Sequence, residues 1–182
     1  MQKFIVLIVF LGLLTLPLMA QDRVEVFGGY QYLRLGSDNS NNGTGNAISF
    51  NGWDTSVTGY FNKYFGVTGD FSGNYATVNG ANVHIYSYTG GPVVGFREGR
   101  VNPFVHVLFG GAHVSVSESA QGATVSVSKN GFTTLFGGGV DVKVNRAVAV
   151  RLAEFDWVYY HFSDLNTSND NVRLTTGIVF RF

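Results

Sequence analysis

The residues best equipped for chemistry in this chain are histidines spaced two from serines. His113 and Ser115 have Glu118 close behind them, and His161 and Ser163 repeat the spacing. Residues two apart share one face of a strand. A histidine there could take the serine's proton and turn the hydroxyl into a nucleophile. The motif is only two residues wide, and alternating strands generate it freely. A second set is electrostatic: Glu25, Asp54, Asp70, Asp141, Lys143, Arg151, Glu154, Asp156, Arg173 and Arg181. If they share an enclosed face, they either pair with one another, as buried charges do, or mark a path for protons or ions. Other chemistries lack their residues. His84, His106, His113 and His161 show no metal-binding spacing. The runs Gly90-Gly91, Gly110-Gly111 and Gly137-Gly138-Gly139 have neither the lysine nor the following helix of a phosphate loop. Cysteine is absent, which removes thiolate chemistry and disulfides. No metal and no cofactor is expected.

The elements that must carry these residues are strands. From Val172 onward, Val172, Leu174, Thr176, Ile178, Phe180 and Phe182 take one face, and Arg173, Thr175, Gly177, Val179 and Arg181 the other. Strict alternation is the signature of a strand. The same period predicts strands at Val24–Leu35, Ser49–Phe61, Tyr64–Ala76, Val83–Arg97, Pro103–Val116, Gly131–Val144 and Ala147–Phe162, about 10 to 14 residues each, the length of tilted membrane strands. Two strands break the pattern. Gly90-Gly91-Pro92 interrupts the fourth, and proline cannot donate to a ladder, so a bulge is expected there. In the seventh, Arg151 and the pair Glu154 and Asp156 differ in parity. A bulge near Ala153 would bring all three inside and leave Phe155 and Trp157 outside. The connections alternate: long and polar at Gly36–Ile48, Ser117–Asn130 and Ser163–Asp170, modest at Thr77–Asn82, and short at Asn62-Lys63, Glu98–Asn102 and Asn145-Arg146.

Composition narrows the class. The 182 residues suit one domain, and Lys+Arg 12 against Asp+Glu 12 leaves no basic field for nucleic acid. Charged residues make up 13% and aromatics 15%, a low charge for a chain bathed in water. Lys3, the apolar run Phe4–Leu14, Pro17 and the small residue Ala20 read as a secretory signal over residues 1–20. Residues 21–182 then form the folded domain. A soluble lipocalin-like barrel would turn its charges outward. Here the face opposite the charges carries almost none, so it is expected to meet lipid. The reading is an all-β, eight-stranded antiparallel up-and-down transmembrane β-barrel, with long extracellular loops and short periplasmic turns.

The chain resembles the small eight-stranded outer-membrane β-barrel family that includes the transmembrane domain of outer-membrane protein A. The resemblance rests on Arg173-Leu174-Thr175-Thr176-Gly177-Ile178-Val179-Phe180-Arg181-Phe182, and on Arg151-Leu152 with Glu154 and Trp157. It implies recognition of the carboxy-terminal Phe182 by the barrel assembly machinery, outer-membrane lipids as surroundings and a monomer. It further implies a role in envelope integrity, or in adhesion and recognition of an extracellular ligand through the loops. The His113–Ser115 pair is similar to that of outer-membrane lipid A deacylases, so a lipid-A-modifying hydrolase is one alternative. A narrow ion channel is the other. In this reading the first and last strands close the barrel, with Arg181 near Glu25. The lumen is plugged by paired charges and by Leu and Phe side chains. Aromatics form two girdles: Tyr32, Trp53, Tyr75, Tyr86 and Trp157 near the outer interface; Phe61, Phe65, Phe104, Phe180 and Phe182 near the inner one.

Overall fold

Alternating side chains resolve into antiparallel strands in a computed structural model that describes residues 24–36, 48–78, 80–120, 123–161 and 171–182. The expected export signal, most of the loop 36–48 and the loop 163–170 lie outside the described residues. The strands are β1 (Val24–Leu35), β2 (Ile48–Tyr60), β3 (Phe65–Val78), β4 (Ala81–Gly95), β5 (Val101–Ala120), β6 (Ala123–Lys143), β7 (Val148–His161) and β8 (Asn171–Arg181). Each pairs with the next, and β8 pairs back onto β1 to close a barrel. Glu25 lies opposite Arg181 in that closing ladder. Closure gives every strand two neighbours, which is how a sheet survives in lipid without an unpaired edge.

The period of two sorts the side chains. Outward positions carry Val57, Phe65, Phe71, Phe136, Phe155, Trp157, Ile178 and Phe180, all exposed. Inward positions form layers. Leu33, Phe50, Ile85, Leu108, Ala112, Leu135, Val158 and Tyr160 pack as one apolar plug towards the end with the long connections. Two smaller clusters, Phe27 with Ala149 and Val179, and Tyr60 with Val93 and Phe104, close the short-turn end. The charges lie between and among these layers.

The bulge expected near Ala153 is present. The β6–β7 register shifts between Val140 and Asp141, and the β7–β8 register between Arg151 and Glu154. Leu152 and Ala153 both face out, so Arg151, Glu154 and Asp156 all face in.

Three expectations are corrected. No bulge forms at Gly90-Gly91-Pro92: the β4–β5 register is the same before and after it, and Pro92 pairs with Val67 on β3. Only the β5-side pairs of Gly91 and Pro92 are missing. The ring therefore costs one local gap. Gly91 allows it, since a Cβ there would collide with the Val107 carbonyl. Second, Ser117–Asn130 is not a loop. β5 and β6 continue as a ladder to the pair Ala120–Ala123, in strands of 20 and 21 residues against 11 to 15 elsewhere. Third, Phe104 does not belong to the lipid-facing girdle expected at the inner interface. It is 8% exposed and points into the lumen, because Pro103 takes the outward position.

Candidate functional site

The inward charges are organised around Arg173 on β8, which is 2% exposed. Its Nε donates to Asp156 Oδ2 at 2.6 Å, Nη2 to Glu154 Oε1 at 3.0 Å, and Nη1 to Asp70 Oδ1 at 3.1 Å. Nη1 also lies 3.5 Å from Asp54 Oδ2. These partners come from β2, β3 and β7, so one planar guanidinium joins distant walls of the barrel. The fork geometry suits this, because five fixed donors can reach several carboxylates at once. Gln31 donates to Asn74 Oδ1 at 2.8 Å beside the same group. His106 Nε2 lies 2.8 Å from Asp156 Oδ1, which holds that carboxylate from its other side.

Arg151 forms a second knot nearer the short turns. Its Nε and Nη2 donate to the two oxygens of Asp141, at 2.8 and 3.2 Å, and Nη1 donates to Glu154 Oε2. Glu154 therefore bridges both arginines. The Arg151 guanidinium also lies 4.3 Å from the ring centroids of both Phe27 and Phe104. A desolvated cation over an aromatic face gains about 2 kcal/mol at most sites of this kind. Glu25 makes the third knot, with Arg181 Nε and Arg97 Nη2 each 2.9 Å from its Oε1. The Arg181 Nε angle is poor for a hydrogen bond, so that contact is Coulombic. Arg181 Nη1 donates properly to Asn102 Oδ1 at 2.9 Å. Lys143 shares the face of Asp141 but stands half-buried at the rim, with no ion pair among the described residues.

Among the described residues the inward charges are held mainly by one another. Two triads, His106–Glu154–Asp156 and Asp54–Asp70–Glu154, bring ligand atoms within 4.8 Å of one another. A metal does not fit, because Arg173 already holds oxygens of both sets. A cavity of about 10 Å³ beside Ser56, Thr58, Thr68, Asp70 and His106 has room for the centre of roughly one water. Apolar layers lie on either side of the charges.

The His113–Ser115 pair does not assemble among the described residues. His113 Nδ1 bonds Asn130 Oδ1 at 2.6 Å across the β5–β6 ladder, and Ser115 lies opposite Ser128. An amide there can orient the ring but carries no charge to stabilise a protonated histidine, as a carboxylate would. The Glu118 side chain and Ser163 lie outside the described residues. Sequence reasoning missed His106, Arg97, Gln31, Asn74 and Asn102. Parity signals His106 and Asn102, which alternate with outward Pro103 and Val105. Parity also signals Arg97, which continues the inward alternation of Val93 and Gly95 just past the end of β4.

Closed eight-strand topology, a lipid-facing apolar surface and a charged, filled lumen define one architecture. The profile of the outer membrane protein β-barrel domain matches residues 8–182. The chain belongs to that family. It is an integral barrel of the bacterial outer membrane. No curated protein matches it in sequence. Among solved structures it is similar to Ail, the attachment invasion locus protein of Yersinia pestis, at 20% identity over 90% of this chain and all of that one, with a TM-score of 0.64. A further structure of Ail holds the heparin analogue sucrose octasulfate. Neisserial surface protein A is similar at 16% identity over 87% of this chain and 97% of that one, TM-score 0.64. OprG from Pseudomonas aeruginosa follows at 13%, over 88% and 96%, TM-score 0.56. At these identities the likeness shows the fold.

Proposed function

We propose that this outer-membrane barrel is a non-catalytic surface protein that recognises an extracellular ligand through its long-connection end, with envelope integrity as its passive contribution. The β5–β6 hairpin carries the reading: it continues as paired strands to Ala120–Ala123, past Ser117 where its pairing with β4 ends, towards the side where outer-membrane barrels place their extracellular connections. Paired strands present a fixed surface, which lowers the ordering cost of binding. From His113 to Gly131 that hairpin is mainly Ser, Thr, Val and Ala, with Lys129 and Glu118 its formal charges. Such a surface favours a ligand held by hydrogen bonds over a polyanion such as the one carried by Ail. Residues 1–20 act as the export signal, Phe182 is read by the barrel assembly machinery, and the barrel works as a monomer.

The test replaces Ser117–Ser128 with a two-residue turn and compares adhesion of cells bearing either protein. The shortened barrel is expected to fold, keep its heat-modifiable gel mobility and lose adhesion. Unchanged adhesion would remove the recognition role. Loss of a lipid A acyl chain that depends on Ser115 would instead identify an enzyme.

A further inference from the structure

Charge is unevenly distributed around the short-turn end. At the β2–β3 turn Lys63 is neutralised, with Nζ 3.1 Å from Glu98 Oε1. Arg97 and Arg181 turn inward onto Glu25. Around the β4–β5 and β6–β7 turns, Arg100, Lys143 and Arg146 remain. Among the described residues none of the three has a carboxylate within ion-pair distance. Backbone pairing holds them together: Lys143 N donates to the Arg100 carbonyl at 2.8 Å, and Val101 pairs with Val142. Arg146 lies three residues on, in the turn closed by Val144 N on the Val148 carbonyl at 3.0 Å. Arg100 and Arg146 are exposed, and Lys143 is half-buried.

These cations border the apolar belt. Val101 and Val144, 57% and 63% exposed, stand directly beside them at its edge. Short turns face the periplasm in outer-membrane barrels, which sets the three cations, Lys143 at the lumen rim and Arg100 and Arg146 in the exposed turns, at the level of the inner-leaflet phosphates. Arginine can hold a phosphate through two parallel N–H donors, and lysine adds a point charge. Basic residues near an anionic surface add their attractions. We propose that Arg100, Lys143 and Arg146 form a binding patch for anionic phospholipid headgroups of the inner leaflet. The patch tethers the β5–β7 side of the barrel at the depth of those phosphates.

The test reconstitutes the whole barrel in mixed vesicles and measures, by spin-label resonance, the motionally restricted fraction of labelled phosphatidylglycerol against labelled phosphatidylcholine. A preference of a few-fold for phosphatidylglycerol is expected, and it should shrink in high salt. In the R100Q/K143Q/R146Q variant it should fall to near parity, while K63Q leaves it intact. Heat-modifiable mobility verifies that each variant is folded, and the single R146Q, in an exposed turn, serves if the triple variant does not fold. Parity in the native protein, or a preference that survives in folded variants, overturns the proposal. Patch-dependent sedimentation with peptidoglycan sacculi in the absence of any lipid preference would overturn it too, and would make the cell wall the partner.

Discussion

Arg173 is the residue on which the lumen depends most. Removing one partner of a buried charge network leaves the others desolvated and unpaired, at about 3–5 kcal/mol. Arg173→Gln is expected to cost that much, read as a lower urea midpoint for the barrel in vesicles. Arg173→Lys should recover only part of it, because a point charge cannot span Asp70, Glu154 and Asp156 together. A substitution at the most distant of its carboxylate partners behaves differently. Neither Asp54 oxygen has a hydrogen bond, and Asp54 adds a fourth carboxylate around a single guanidinium. Asp54→Asn should therefore shift the midpoint by less than about 1 kcal/mol, or raise stability. A loss as large as that of Arg173→Gln would show that Asp54 carries an essential pairing. Gly137 supplies a steric test. A Cβ there would collide with Asp156 Oδ1 and the Phe155 carbonyl, so Gly137→Ala should displace the carboxylate that Arg173 and His106 share. The same unfolding measurement is expected to report a loss of about 1–3 kcal/mol, the usual cost of forcing extra volume into a packed interior.

At the scale of elements, the β5–β6 hairpin is the least expected feature. β4 accompanies β5 as far as the pair Asn82–Ser117, and the β5–β6 ladder runs on past it to Ala120–Ala123. Paired amides exchange slowly and loop amides quickly. Hydrogen exchange should therefore find Ser115, Ser117, Ser126 and Ser128 protected above loop rates but below the barrel strands. Free exchange from Ser117 onward would return this segment to a loop. The β7 bulge is the counter-example. Two successive outward residues, Leu152 and Ala153, let one strand deliver Arg151, Glu154 and Asp156 to the same interior. Deleting Ala153 should reverse the facing of half the strand and prevent folding, measured as loss of the heat-modifiable form.

The whole molecule is an inverted globule: apolar outside for lipid, polar and charged within. Two apolar layers and a dense ion-pair cluster leave room for roughly one water in the cavity beside Asp70 and His106. Planar-bilayer recordings are expected to show no steady conductance. A stable open level would mean that the Arg173 and Arg151 knots open cooperatively. Phe104→Ala is a graded version of that experiment. It removes one of the two rings that sandwich Arg151 and opens space beside the existing cavity, so any leak should appear there first.

The sequence by itself determined the barrel, because lipid outside and charge inside impose a period of two that is printed on every membrane strand. It also determined the β7 bulge, since Glu154 and Asp156 cannot be placed in lipid and Arg151 has the opposite parity. It could not say where β5 and β6 end. Above the membrane both faces meet water, the apolar requirement lapses, and Ser-Val alternation reads equally as loop or strand. It misplaced Phe104, because an aromatic near a strand end reads as a girdle residue, although Phe104 shares the parity of Asn102 and His106. Apart from Glu25 with Arg181, it listed the inward charges but not their partners. Arg173 reaches Asp70 across 103 positions of sequence, and such a contact exists only once closure brings β8 and β3 to one lumen.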